Sequence, residues 1–529
     1  MEKVQTFNYI YPSKWWRILV IFLLVIGILF RVVNIEKKVY WGDEAAGSYR
    51  IAGYKSKEFQ EFAMQGQVMS PEELQQYQRP NSEKNLRDAI NALVGHPEHP
   101  PLYYLIARFW MQLLGDAVIT PRSLSVLFSF LVFPCIYFLC LELFALPSVA
   151  LMALALVAVS PFQILYAQEA RQYSLWIATI LLSSWGLLRA MRVNTKFTWI
   201  IYAITLALGL YTSLLSILVA LAQGIYIFFL ESFRFSQKLS AYLLASLAGM
   251  LLFLPWILVI IFSEEENTGW TKKPTPISAL GKTWIFHLNS IFIDFNLTFR
   301  NKYLLLYLAV ILFIGYAFYF LWERTPKRTW LFVWMLAGVT FLALAIPDVI
   351  IGGQRSTIFR YLLPSFISIQ IAVAYLLATK ITFDFRQKWK SIFWKLLAVT
   401  IIFAGTLSCF QVIQAEAWWN KYREYYHYQI AKVVNQAERS LVICAWFDCM
   451  TLSHVVDYNV GLQDIRNLKK LDRVGTSFSE LFVYKSKVSL EQLLKNKLSY
   501  EIEHTYYWQK ELTPTDSASA TLWQLKKKN

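Results

Sequence analysis

Residues 15–44 read WWRILVIFLLVIGILFRVVNIEKKVYWGDE. The stretch 15–33 is apolar and close to the roughly 20 residues a helix needs to cross a bilayer core. It is followed by the aromatics Tyr40 and Trp41, a turn glycine, Gly42, and two adjacent acids, Asp43 and Glu44. A hydrocarbon slab gives no reason to put two carboxylates at its edge, because charge near lipid is costly and is kept where a partner or a task holds it. The ordinary reading is a solvated loop in which Asp43 caps the next helix. A chemical reading requires further polar groups to arrive at the same edge from elsewhere in the chain.

The rest of the chain repeats the pattern. Of 529 residues, 56% are hydrophobic, 17% aromatic and 16% charged, against about a quarter charged in soluble proteins. Apolar runs of span length recur, so the fold class is an α-helical polytopic membrane protein. The 20 Trp and 30 Tyr suit aromatic belts at membrane interfaces. The net charge of +16 reads as Lys and Arg in cytoplasmic loops plus a basic tail. No long basic block supports a nucleic-acid partner. The first apolar run is too long for a signal peptide, and no small-residue cleavage site follows it.

Lys3, Lys14 and Arg17 favour a cytoplasmic N-terminus, whereas Lys37 and Lys38 weaken the bias, so later loops decide. Residues 34–121 read as a first outer loop with juxtamembrane helices. Within it, His99-Pro100-Pro101-Leu102-Tyr103-Tyr104 opens an apolar stretch of only about 14 residues, short of a span. Arg108 lies in its middle, and its prolines sit where a missing N–H costs nothing. Spans are expected over 122–144, 147–166, 174–188, a short hairpin over 198–231 broken at Tyr211-Thr212-Ser213, then 240–262, 303–322, 330–346, 359–379 and 392–412. With the first, that makes about eleven. The loops holding Arg189, Arg192 and Lys196; Arg234 and Lys238; Arg324, Lys327 and Arg328; and Lys380, Arg386, Lys388 and Lys390 read as cytoplasmic. Parity then puts the Asp43-Glu44 loop and the polar island Gln168-Glu169-Ala170-Arg171 on the same, outer side.

Residues 1–413 are taken as the membrane domain and 414–529 as a small extracytoplasmic α/β domain, with strand-like runs at 441–446, 480–484 and 521–524. Cys135, Cys140 and Cys409 lie in apolar runs as small core residues. Cys444 and Cys449 are able to pair if the tail is outside, and their spacing is too weak for a metal site.

The outer edge thus collects Asp43, Glu44, His99, Arg122, Glu169, Arg171, Arg355, Arg360 and Tyr361. Each alone has an ordinary reading. Arg122 and Arg360 snorkel from span ends, Glu169 and Arg171 pair locally, and His99 caps its helix. Together, carboxylates with arginines suit a hydroxyl to deprotonate and an anion to hold.

In chain order, Asp43-Glu44 after the first span, the His99–Tyr104 motif, Arg122-Ser123-Leu124-Ser125 and Tyr166-Ala167-Gln168-Glu169-Ala170-Arg171-Gln172-Tyr173-Ser174 resemble the GT-C glycosyltransferases of family 39. That family includes protein O-mannosyltransferases and the lipid A aminoarabinose transferase. Arg360-Tyr361-Leu362-Leu363-Pro364 resembles a late motif of its bacterial branch. The resemblance implies a GT-C fold in a bacterial plasma membrane. It also implies transfer of a sugar from a polyprenyl-phosphate donor to an unidentified hydroxyl acceptor (protein, lipid or surface glycan) on the extracytoplasmic face, with inversion.

In that frame Asp43 is the general base and Glu44 holds acceptor or sugar hydroxyls. Arg122 meets the lipid phosphate with His99 close by, Arg360 ranks second for that task, and Tyr103 and Tyr361 contribute to substrate binding. Gln168, Glu169 and Arg171 shape the site from the second outer loop. Groups that stabilise the developing phosphate charge supply a large share of such catalysis. Some GT-C enzymes hold a divalent metal between acids of these loops. Asp43, Glu44 and Glu169 have the ligand chemistry, but Gln168 stands where a second acid is expected, so no obligatory metal or other cofactor is expected.

Two other classes share the gross features. A secondary transporter also has many spans and charges near lipid, but its site belongs near mid-membrane in broken, repeated helices. A non-catalytic scaffold predicts that Asp43 and Arg122 tolerate substitution.

Overall fold

Among residues 14–263, 269–383, 388–464, 478–484 and 500–527, which this computed structural model describes, seven helices are long and apolar enough to cross a membrane. They are Lys14–Val32, Ile119–Phe144, Tyr173–Val193, Leu304–Arg324, Lys327–Ile350, Phe359–Thr382 and Trp389–Lys421. Lys3 and Arg386, used above, lie outside the described residues. The shorter apolar helices Lys196–Thr212 and Ser216–Leu230 form the expected hairpin. The expected number of spans is reached only when these and two broken helix pairs are included. Tyr173–Val193 and Phe359–Thr382 are buried along most of their length, whereas Lys14–Val32 and Leu304–Arg324 present apolar side chains outward, where lipid covers them.

The run 147–166 reads as one span, but Pro147–Ala158 and Pro161–Ala167 meet at 60°. Pro161 has no N–H to donate and disfavours helical backbone at Ser160. The freed carbonyls of Val157 and Ala158 accept from the buried Arg31 guanidinium at 3.2 and 3.1 Å. In lipid such groups need an internal partner. Gly27 permits the approach, since a Cβ there would lie 2.5 Å from the Ala158 oxygen. Gln237–Leu252 and Leu254–Phe262 bend by 62° in the same way, with Pro255 at the start of the second piece.

One end of the bundle gathers basic loops around Glu142, which meets Arg192 at 2.6 Å and Arg328 at 3.4 Å. The other end carries the 34–121 loop. Its helix Leu102–Leu114 exposes Phe109 and Leu113 but buries Arg108, which donates to the carbonyls of Ile51 and Ala52 at 2.7 and 2.9 Å. That is the expected surface helix, pinned to the loop by its one cation.

The tail folds around a five-stranded sheet: β1 (Ser440–Cys444), β2 (Gly461–Asp464), β3 (Glu480–Tyr484), β4 (Tyr500–Glu511) and β5 (Ser517–Lys527), in the order β2-β1-β3-β5-β4. β1 runs parallel to β2 and β3, and β5 antiparallel to β3 and β4. Cys444 and Cys449 form a disulfide. Met69 of the first loop exchanges two 2.8 Å backbone hydrogen bonds with Leu462 and extends the β2 edge. Tyr40, Phe59, Met69 and Leu74 share a core with Val442, Leu462 and Leu522, so loop and tail bury apolar surface together.

Candidate active site

The helix Gly42–Ala52 starts at the two acids, where the helix dipole favours negative charge. Successive helical residues point about 100° apart, and this separates the pair. Asp43 is one-third exposed, and its Oδ2 lies 3.2 Å from Arg360 Nη2. Burial pushes the Asp43 carboxyl up, but Arg360, then Arg171, Arg50 and Lys421, outweigh it and hold it below the ordinary carboxylate range. Arg171 also donates to the Asp43 carbonyl at 3.0 Å.

Glu44 points inward and is 0% exposed. Arg122 grips it with two hydrogen bonds, Nε to Oε1 at 2.8 Å and Nη2 to Oε2 at 2.7 Å, and the Ala170 N–H donates to Oε1 at 2.8 Å. Burial acts to raise its pKa, but Arg122, Lys421 and these donors bring it to about 2. Arg122 uses its remaining donors on the carbonyls of Ile35 and Lys38, both at 2.9 Å, and Val39 at 3.1 Å.

These contacts correct four expectations. Glu44 has no oxygen turned to a cavity, so it does not hold substrate hydroxyls. Arg122 has no N–H left for a phosphate. Gln168 is spent on the end of the first span: it donates to the Phe30 and Val33 carbonyls at 2.9 and 2.8 Å and accepts from Lys38 at 2.8 Å. Tyr103 is buried against Ser125, its hydroxyl 2.8 Å from Oγ. Arg122, Gln168 and Tyr103 donate to backbone carbonyls, and Glu44 accepts from a backbone N–H.

Two cavities meet at Asp43, Arg360 and Trp270, which line both. The first, about 500 Å³, is walled by aromatics including Trp41, Tyr166, Trp419 and Tyr422, by Lys273, Asn420 and Arg423, and by Phe447 and Asp516 from the tail. The second, about 400 Å³, has an apolar floor of Trp176, Leu214, Leu215 and Leu344 beneath a rim with Arg171, Arg355 and Arg360. His99 and Tyr361 also line it. Burial, then Arg50 and Arg171, push the His99 imidazole well below its ordinary pKa, so it faces this cavity neutral. Arg355 is oriented by Asp348 at 3.0 Å. Arg360 packs against the rings of Trp41, Tyr173 and Tyr361. It, not Arg122, is the cation at the junction.

Glu169 is buried and accepts from Asn420 at 2.7 Å and Lys421 at 3.0 Å. The residues missed by sequence reasoning lie mainly in 415–426, after the α-helix Lys388–Gln414 ends. The only signal there was the density of aromatics in Trp418-Trp419-Asn420-Lys421-Tyr422, which carries no periodicity. Among the described residues no group of three or more His, Cys, Asp or Glu side chains is placed to hold a metal ion. Between Glu44 and Glu169, where the two loops meet, stands the ammonium of Lys421.

The structure resembles that of ArnT from Cupriavidus metallidurans bound to undecaprenyl phosphate, at TM-score 0.53 and 12% identity over 97% of this chain and 98% of that one. It also resembles the Archaeoglobus fulgidus oligosaccharyltransferase in complex with zinc and sulfate, at TM-score 0.50 and 12% identity over 88% of this chain and 67% of that one. The fold is the GT-C fold, in a chain whose described residues include seven helices long and apolar enough to cross a membrane. Residues 98–259 match the family model described as dolichyl-phosphate-mannose-protein mannosyltransferase. No curated protein matches the chain.

Proposed function

We propose that this protein moves a monosaccharide from a polyprenyl-phosphate donor to an acceptor hydroxyl, with inversion, on the extracytoplasmic face of a bacterial plasma membrane. The observation that carries the reading is the position of Asp43 where two unlike cavities meet. The second cavity, greasy below and cationic at its rim, suits a prenyl chain and its phosphate. The first, aromatic and polar and completed by the tail, suits the acceptor, so residues 414–529 act as its wall and 1–413 as the catalytic domain. Asp43 takes the proton from the acceptor hydroxyl as that oxygen bonds to the anomeric carbon. The bond from that carbon to the phosphate oxygen breaks on the opposite face, and Arg360 meets the released charge. Arrival of the phosphate draws Arg360 from Asp43 and makes the carboxylate a better base.

Binding of undecaprenyl phosphate by the ArnT relative supports the donor class. The Cys444–Cys449 disulfide supports an oxidising setting for the tail. The test is deletion of the protein followed by mass spectrometry of polyprenyl-phosphate sugars and surface glycans. One donor should accumulate, and wild type but not Asp43→Asn should restore it. In vitro, Asp43→Asn should lower kcat by about 10²–10⁴-fold, the usual share of a general base, with donor binding kept. Wild-type transfer by Asp43→Asn, or deletion without donor accumulation or glycan change, would refute the assignment.

A further inference from the structure

Glu44 and Glu169 come from different loops and are both fully buried, yet one cation reaches both. Lys421 Nζ lies 3.0 Å from Glu169 Oε1 and 3.6 Å from Glu44 Oε2, and 4.8 Å from the centre of the Trp41 ring. Its side chain is 0% exposed. The segment that delivers it is seated by Trp418 and Trp419, whose indoles donate to the buried Asp294 at 2.9 and 2.8 Å. Two carboxylates this deep repel each other unless a cation joins them, because the interior screens charge weakly. A divalent metal would join them too, but the groups present do not fit one. Arg122 covers both oxygens of Glu44, the ammonium of Lys421 occupies the bridging position, and Lys38 is a third buried cationic side chain in the same cluster.

We propose that Lys421 is the built-in cation that ties the two loops of the site together, in place of a metal. The inference rests on the transferase reading above. Lys421 lines neither cavity, so it is a positioning residue. It locks the Trp41–Glu44 turn to the Glu169–Arg171 loop, and Arg171 in turn holds the Asp43 carbonyl. The catalytic geometry therefore depends on the segment that follows the α-helix Lys388–Gln414, and transfer needs no added divalent cation.

The experiment uses the full-length protein in lipid nanodiscs with a polyprenyl-phosphate sugar. Elemental analysis should find no stoichiometric divalent metal in wild type, and EDTA should leave its transfer unchanged. Lys421→Met should lower kcat about 10²-fold, the cost of misplacing reacting groups by about 1 Å, with a smaller change in donor KM. Lys421→Arg, which keeps the charge, should retain more transfer than Lys421→Met. About one equivalent of divalent metal whose removal abolishes transfer would overturn the inference, as would a folded Lys421→Met with wild-type kcat. Should Lys421→Met not fold, the wild-type metal content and chelation response decide alone. Asp43→Asn is run in parallel: wild-type transfer by that variant sinks the transferase reading itself, whereas an inactive Asp43→Asn beside an active Lys421→Met sinks only this inference.

Discussion

Arg122→Met removes a guanidinium whose five N–H groups are all committed, two to Glu44 and three to the carbonyls of Ile35, Lys38 and Val39. Glu44 then stays buried with the Ala170 N–H at 2.8 Å and Lys421 at 3.6 Å. Stripping one partner from a fully buried pair costs about 3–5 kcal/mol. Each carbonyl left without a donor adds about 1 kcal/mol at the low end. The loss is then about 6–8 kcal/mol, a large part of the stability of an ordinary domain. Thermal unfolding in nanodiscs, followed by tryptophan fluorescence, should show a large fall in Tm or no folded protein at all. Arg122→Met with Glu44→Leu should recover part of the loss, because no carboxylate is then stranded. Melting of Arg122→Met within about 2 °C of wild type, a change of under about 1 kcal/mol, together with lost donor affinity would refute a structural role for Arg122. That outcome would return Arg122 to the phosphate.

Arg360→Gln removes the cation at the junction, and donor KM should rise about 10–100-fold, the range of a charge-assisted hydrogen bond. Asp43 is held below the ordinary carboxylate range chiefly by Arg360 against burial, so it is ionised at neutral pH and kcat/KM should fall only when pH drops below that range. In Arg360→Gln the acid limb should move to higher pH, and an unmoved limb would mean that Asp43 is not the group titrating. Glu44, depressed from 4.5 to about 2, contributes stability that is complete above about pH 4.5 and lost as pH falls through 2; melting curves over that window check it. At Gly353, φ is +149° and a Cβ would run into Arg355 and Asp348, so Gly353→Ala should displace Arg355 and raise donor KM with little change in kcat.

The membrane class and the helix at 102–114 were legible because each rests on a local rule. Apolar length reports a span, and a stretch too short with an arginine in it reports a surface helix. The two broken helices were less legible. Pro161 and Pro255 mark them, but a proline inside an apolar run reads equally as a kink. The roles of Glu44, Arg122, Gln168 and Tyr103 were misread because the residues of an ordered motif include those that hold its backbone, and residue type does not separate them from those that face substrate.

By itself the chain determined a bundle of apolar helices, since hydrophobic length and the cost of unpaired backbone in lipid leave no other spanning form, and it marked an acid at one end. Which of two neighbouring acids meets the cavity was decided by helix rotation. Which arginine faces it was decided by whether its donors were already spent. The cation between Glu44 and Glu169 comes from about 250 residues further along the chain. Burial, donor saturation and contact between distant segments exist only once the chain has packed, because each is a property of neighbours that the sequence does not place side by side.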